Sequence, residues 1–299
     1  MALRDWLRQL TPSFLLDVYR RRKKNQVRKT LEIEKQNGEI ITEEMLVKQL
    51  EMCGIKQGDS LLVHSSMSKL GYLENGASTF IQALKNVLGE KGTLLMPTSP
   101  NDRLQLDYIR QLKRFEVLNS PSRLGKITEV FRTMEGVRRS WSPTEPVAAW
   151  GRLAEFYTEN HHLDETPYAA HSPFAKLADE KGKIVYVGVT LDNAGTSLHV
   201  LEDAISIDFQ VYFDELFEVE IQKPNGEVIK RKFKVHNPEV SKLRRCDELL
   251  PYFERDGIAQ KITIGKANSW LFDAAKMREW MIKAYQEKGV TMYTPHGRA

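Results

Sequence analysis

Two short stretches of this chain carry side chains that can do chemistry. The first is Leu191-Asp192-Asn193-Ala194-Gly195-Thr196-Ser197-Leu198-His199-Val200-Leu201-Glu202. His199 and Glu202 stand three residues apart, so a helix puts them on one face. A carboxylate beside an imidazole fixes its tautomer and raises its basicity, which is what a general base needs. Gly195, Thr196 and Ser197 read as a helix start, where the dipole opposes a protonated histidine and Glu202 offsets that opposition. The spacing alone also suits a purely structural His–Glu contact. The second stretch packs His64, Ser65, Ser66 and Ser68 into five positions after a short apolar strand. Unpaired backbone N–H groups at a strand end and helix start, joined by hydroxyls, suit a pyrophosphate. The run matches neither a Walker loop nor G-x-G-x-x-G, and a polar capping loop would look the same.

Other chemistries have less behind them. No G-x-S-x-G elbow occurs, so a hydrolase serine rests only on Ser65 or Ser66 coming near His199. His161, His162, His199 and Asp192 offer metal-ligating atoms without an H-E-x-x-H spacing, and no metal is expected. Cys53 and Cys246 are the only cysteines, too few for a disulfide framework or thiolate metal site. Cys53 falls on an apolar helix face and reads as core.

The elements that must position these groups follow from periodicity. Thr42 caps a helix that Gly54 ends. A strand over 60–63, a helix from Gly76 with its stripe of Ala77, Phe80, Ile81, Leu84, Val87 and Leu88, and a strand over 93–96 form a parallel, right-handed βαβ unit. Residues 98–122 read as a loop with a helical piece, 124–134 as a helix, 183–190 as a β-branched strand and 191–195 as a loop entering a helix at Thr196. Strands over 211–222 and 228–235, joined at Pro224-Asn225-Gly226, predict an antiparallel hairpin, and 269–287 a final helix. One α/β domain with a mixed sheet results.

Of 299 residues, 41% are hydrophobic and 28% charged, the profile of a folded chain rather than a disordered one. No apolar run reaches membrane-spanning length, no secretory signal pattern is present, and a reducing cytoplasm is expected. Nine of the first thirty residues are basic and two acidic, so this segment holds +7 of a chain whose net charge is +4. Leu3, Trp6, Leu7, Leu10, Phe14 and Val18 form an apolar stripe there, divided at Pro12. The segment suits peripheral contact with an anionic membrane, or packing on its own domain or an oligomer partner. Nucleic acid is not expected. The division is a basic extension over 1–41, a catalytic domain over 42–290 and a C-terminal tail over 291–299.

Taken in order, these stretches resemble the aminoglycoside 3-N-acetyltransferase family. The resemblance runs through Val63-His64-Ser65-Ser66-Met67-Ser68-Lys69-Leu70-Gly71, Gly92-Thr93-Leu94-Leu95-Met96-Pro97-Thr98, Gly125-Lys126-Ile127-Thr128-Glu129-Val130-Phe131-Arg132 and Ala148-Ala149-Trp150-Gly151. It continues through 161–164, Ser172-Pro173-Phe174-Ala175-Lys176-Leu177, the stretch from Thr196 to Glu202 and Gly265-Lys266-Ala267-Asn268, reaching from about 42 to 285. It implies a three-layer α/β/α fold with a mixed central sheet, acetyl-CoA as co-substrate, and a coenzyme site lined by His64, Ser65, Ser66, Ser68 and Thr98. It further implies that His199 deprotonates the acceptor amine and that Glu202 orients it, with direct attack on the thioester. Asp192, Asn193, Thr196 and Ser197 are then placed to meet the acceptor or the oxyanion. Ser140-Trp141-Ser142-Pro143 departs from the family's Ser-x-His-Pro, and Lys266 stands where a small residue is usual. With the basic extension, these departures direct the expectation to an amino sugar, nucleotide-linked and destined for a surface polysaccharide. An aminoglycoside-resistance enzyme is the alternative, and a non-catalytic binding or scaffold protein of the same fold the second. Neither acyl chain length nor oligomeric state follows from the sequence.

Overall fold

Ten strands alternate with helices: β1 (Ser60–Ser65), β2 (Thr93–Pro97), β3 (Arg114–Glu116), β4 (Arg138–Arg139), β5 (Val147–Gly151), β6 (Lys183–Val187), β7 (Phe217–Gln222), β8 (Val228–Phe233), β9 (Ala259–Ile264) and β10 (Ala267–Asp273). The structure is a computed structural model and describes residues 13–101 and 104–298. Seven strands form one sheet in the order β4-β5-β2-β1-β6-β10-β9. β1 runs parallel to β2 and β6 on either side, β5 and β10 join these antiparallel, and β4 and β9 form the edges.

The pleat divides the strand side chains between two cores. Leu61, Val63, Leu94, Met96, Val185 and Val187 face the helices Glu43–Met52, Ala77–Leu88 and Lys126–Arg132. Leu62, Leu95, Ile184 and Tyr186 face the helices Ala154–Thr158, Pro173–Asp179, Val200–Ala204 and Ala274–Lys288. Helices thus cover both faces, and the expected three layers are present. The crossover from β1 to β2 lies on one face and that from β5 to β6 on the other. Connections diverge beside β1, opening a crevice at the carboxyl ends of β1 and β6.

The hairpin forms as expected, but not in the main sheet. β7 and β8 pair antiparallel, and β3 joins β7 in a separate three-stranded sheet. β7 buries alternate residues only, so Phe217, Val219 and Ile221 cover a small core with Leu106, Ile109 and Phe115. The final helix also begins later than its apolar residues suggest. Trp270, Leu271 and Phe272 lie on β10, paired with Tyr186, Val185 and Ile184 of β6, and Asp273 then caps the helix Ala274–Lys288. Residues 191–195, expected as a loop, form a short helix Leu191–Ala194 before a 3-10 turn, Thr196–His199.

The stripe formed by Leu3, Trp6, Leu7 and Leu10, with Pro12, lies outside the described residues. The helix Ser13–Gln36 presents Arg21, Arg22, Lys23, Lys24, Arg28 and Lys29 to solvent, while Val27, Leu31 and Glu34 are half-buried. Glu34 accepts from the Tyr72 backbone N–H at 2.9 Å, and Lys266 Nζ lies 3.0 Å from Glu34 and 2.5 Å from Glu39. Lys266 thereby ties this helix to the body. No helix among the described residues is long and apolar enough to cross a membrane.

Candidate active site

β1 delivers the first group. Its pleat sends Leu62 and His64 to one face and Val63 and Ser65 to the other, so the residues read as one polar loop divide between faces. His64 stacks on Tyr186 with ring centroids 4.9 Å apart, and its Nε2 lies 3.3 Å from Thr196 Oγ1. Burial holds this imidazole down to about 3, hence neutral. Gly188, just after β6, lets the 3-10 turn that follows β1 pack close against it. At φ +63, a Cβ there would stand 2.4 Å from Lys69 Cβ.

His199 ends the 3-10 turn and Glu202 lies in the helix Val200–Ala204 that follows. His199 Nδ1 and Glu202 Oε1 are 2.9 Å apart, and the carboxylate also accepts from His236 Nε2 at 2.8 Å and Tyr293 OH at 2.6 Å. Burial opposes the Glu202 charge, but two imidazoles and their hydrogen bonds outweigh it and hold the carboxyl well below its usual range. Ionised Glu202 only accepts, so Nδ1 of His199 carries the proton and Nε2 keeps a lone pair. Arg244 Nη1, which can only donate, lies 3.2 Å from that Nε2. Burial first, then the charges of His236 and Arg244, against the pull of Glu202, bring His199 down to about 4. Tyr168 stacks on His199 at 4.9 Å, and Tyr212 on His236 at 5.2 Å.

The expected pairing of His199 with Glu202 is present, and Asp192, expected to meet the acceptor or the oxyanion, lies elsewhere. Asp192 instead exchanges backbone contacts with Asp247, at 3.1 and 3.2 Å. Asn193 is exposed and donates to Thr190 Oγ1 at 2.8 Å. Thr196 reaches His64, and Ser197 Oγ is buried without a partner. Ser66 and Ser68 hydroxyls meet at 3.2 Å, while Ser65 Oγ is buried and unpartnered. Thr98 is wholly buried, donating to Pro146 O and accepting from Arg139 Nε, each at 3.0 Å. His161 is taken up by Ser140 Oγ and Pro167 O, and His162 packs on Trp141. Burial pushes the Cys246 thiol up to about 12, which suits an inert core residue.

His236, Tyr293 and Arg244 escaped the sequence reading. His236 and Tyr293 come to Glu202 across 34 and 91 residues, with no local spacing to mark them. One signal was available for Tyr293. Val290, Thr291, Met292 and Tyr293 are all buried, although 291–299 had been set apart as a tail. His199, Glu202 and His236 bring possible metal-ligating atoms within 4.8 Å. Their nitrogen–oxygen distances are those of direct hydrogen bonds, which use both Glu202 oxygens.

The crevice fits a coenzyme thioester on its own terms. Ser65 Oγ, at the carboxyl end of β1, is a buried hydroxyl without a partner, and Ser197 Oγ, on the 3-10 turn that brings Thr196 to His64, is buried beside the Tyr186 hydroxyl. Such a group costs about 1–3 kcal/mol unless something binds it.

A family model described as aminoglycoside 3-N-acetyltransferase matches residues 62–286. The aminoglycoside N(3)-acetyltransferase VII of Streptomyces paromomycinus is 28% identical over 274 residues, covering 83% of this chain and 92% of the relative. The aminoglycoside N(3)-acetyltransferase IX of Micromonospora chalcea is 27% identical over 277 residues, covering 84% and 96%. Among solved structures, AAC-IIIb in its binary complex with CoASH superposes with a TM-score of 0.70 at 27% identity, over 83% of this chain and 97% of that one.

Proposed function

Because the chain belongs to the aminoglycoside 3-N-acetyltransferase family, whose members are acetyl-CoA-dependent N-acetyltransferases, we propose that it acetylates an amine of an amino sugar with His199 as general base and Glu202 as its orienting carboxylate. The observation that carries the reading is the polarised histidine. Nδ1 is tethered to a buried carboxylate, which leaves Nε2 as the one ring atom able to take a proton. The relatives, named for aminoglycosides, favour that class of acceptor over the nucleotide-linked sugar expected from the sequence.

Bound acetyl-CoA supplies a thioester whose acetyl group passes to the amine and whose thiol departs. His199 Nε2 accepts the proton that the amine loses and returns it to the departing sulfur, so protons and charge balance over the cycle. Glu202 stabilises the imidazolium formed between those events, and His236 and Tyr293 hold the carboxylate still. The buried hydroxyls of Ser65, at the end of β1, and Ser197, on the turn before His199, are the candidate donors to the developing oxyanion. Retention of the full Glu202 network supports catalysis over a scaffold role.

The experiment is thiol release from acetyl-CoA over a panel of aminoglycosides and amino sugars, with His199→Ala in parallel. We expect turnover that falls roughly 10²- to 10⁴-fold in the variant. An inert wild-type protein, or a variant as fast as wild type, rejects the proposal.

A further inference from the structure

The guanidinium beside the catalytic base has no function in the chemistry so far. Arg244 Nη1 lies 3.2 Å from His199 Nε2, and Nη2 donates to Ser241 Oγ at 2.6 Å. Nε is buried without a partner. The side chain forms no ion pair among the described residues: its two contacts are neutral, and Glu202 is already committed to three other donors. Glu145 feels its charge, but that carboxyl is buried, hydrogen-bonded to Gln105 Nε2 at 2.6 Å, and raised to about 7, chiefly by burial.

This arrangement works against acetyl transfer twice. A donor on Nε2 occupies the lone pair that must take the amine's proton. A fixed cation at 3.2 Å also opposes the imidazolium that forms there. Both effects vanish if the acceptor brings an anion. It would draw the guanidinium off Nε2, satisfy the orphaned Nε in a two-pronged contact, and neutralise the charge facing the imidazolium. The charge of Arg244 is felt by Glu145, Tyr168, Tyr293 and Cys246, so it lies within reach of the whole His199 surround.

We propose that Arg244 selects the acceptor by binding an anionic group, carboxylate or phosphate, carried close to the reacting amine. This rests on the acetyl transfer proposed above but not on its aminoglycoside acceptor: against the class the relatives suggest, it sets amino sugars bearing an anion ahead of uniformly cationic ones. No covalent step changes. Arg244 is a specificity residue that uncovers the base when the right acceptor arrives.

The test compares kcat/KM for glucosamine 6-phosphate, 2-amino-2-deoxyglucuronic acid, glucosamine and kanamycin in wild type, Arg244→Gln and Arg244→Lys. Coenzyme-induced thermal stabilisation confirms that each variant is folded. In wild type the ratio of at least one anionic acceptor to glucosamine should exceed about 10. In Arg244→Gln it should fall roughly 10- to 100-fold, the loss expected for a charge-assisted contact. Arg244→Lys should retain part of the preference. The two anionic arms tell phosphate from carboxylate. A wild-type ratio near one, a ratio unmoved by Arg244→Gln, or an equal loss with all four acceptors overturns the proposal. Any turnover abolished by His199→Ala leaves the proposed acetyl transfer standing, whichever way the Arg244 arms fall.

Discussion

At the scale of single residues, Glu202 is the hub of the site. Its oxygens accept hydrogen bonds from His199, His236 and Tyr293, all buried groups, so an amide cannot substitute for it. Glu202→Gln would turn an NH₂ toward ring nitrogens that now donate, forcing a tautomer change or a lost bond. We expect kcat to fall at least about 100-fold and thermal stability to drop, with coenzyme binding retained. Steady-state kinetics and a melt with and without CoA decide it; near-normal kcat would show that the carboxylate does not act through His199. The His199–Glu202 pair was legible because a helix joins residues three apart. His236, Tyr293 and Arg244 were not, since only tertiary packing brings them together.

At the scale of elements, glycines let loops approach the crevice. Gly188 sits at φ +63 against Lys69, and Gly265 opens the two-residue turn between β9 and β10 at φ +58, close under the Leu70 carbonyl. A side chain at either position meets strain and collision together. Gly188→Ala should therefore destabilise the fold by roughly 1–3 kcal/mol and shift the loop that carries Ser66 and Ser68. Urea denaturation and the KM for acetyl-CoA measure the two effects, and an unchanged midpoint would refute the strain argument. The β1–helix–β2 unit was readable because its stripe and turn signals agree. β10 was misread as helix because its apolar run is short, and pairing with β6 decided its conformation. The departure at Lys266 also finds its reason at this scale, in Glu34 on the helix Ser13–Gln36 and Glu39 just beyond it, both outside the family match.

At the scale of the whole molecule, burial of ionisable groups ties stability to pH. Burial holds His64 near 3 and His161 and His199 near 4. All lie below the unfolded value of about 6.5. Between those limits the unfolded chain binds protons that the folded chain refuses, so stability is full above about pH 6.5 and falls as pH drops. The loss should be on the order of 2 kcal/mol per histidine by pH 5. Glu145 acts oppositely: with its carboxyl raised to about 7, its contribution declines as pH rises from about 4.5 toward 7. Burial also brings His162 down to about 4 and pushes Asp203 up to about 6. Four histidines outweigh two carboxyls, and urea midpoints should rise from pH 5 to pH 7; a flat profile contradicts this account. The layered fold was legible from alternating strand and helix patterns, whereas the separate sheet of β3, β7 and β8 was not. A sequence pattern marks a strand's buried face but not the sheet it joins.

The convergence on Glu202 has a further consequence. Its partners arrive from segments 3, 34 and 91 residues away, so the base gains its orientation only when distant parts of the chain are simultaneously in place. Chemistry in this protein is thus a property of the completed fold, switched on in the same cooperative event that closes the core.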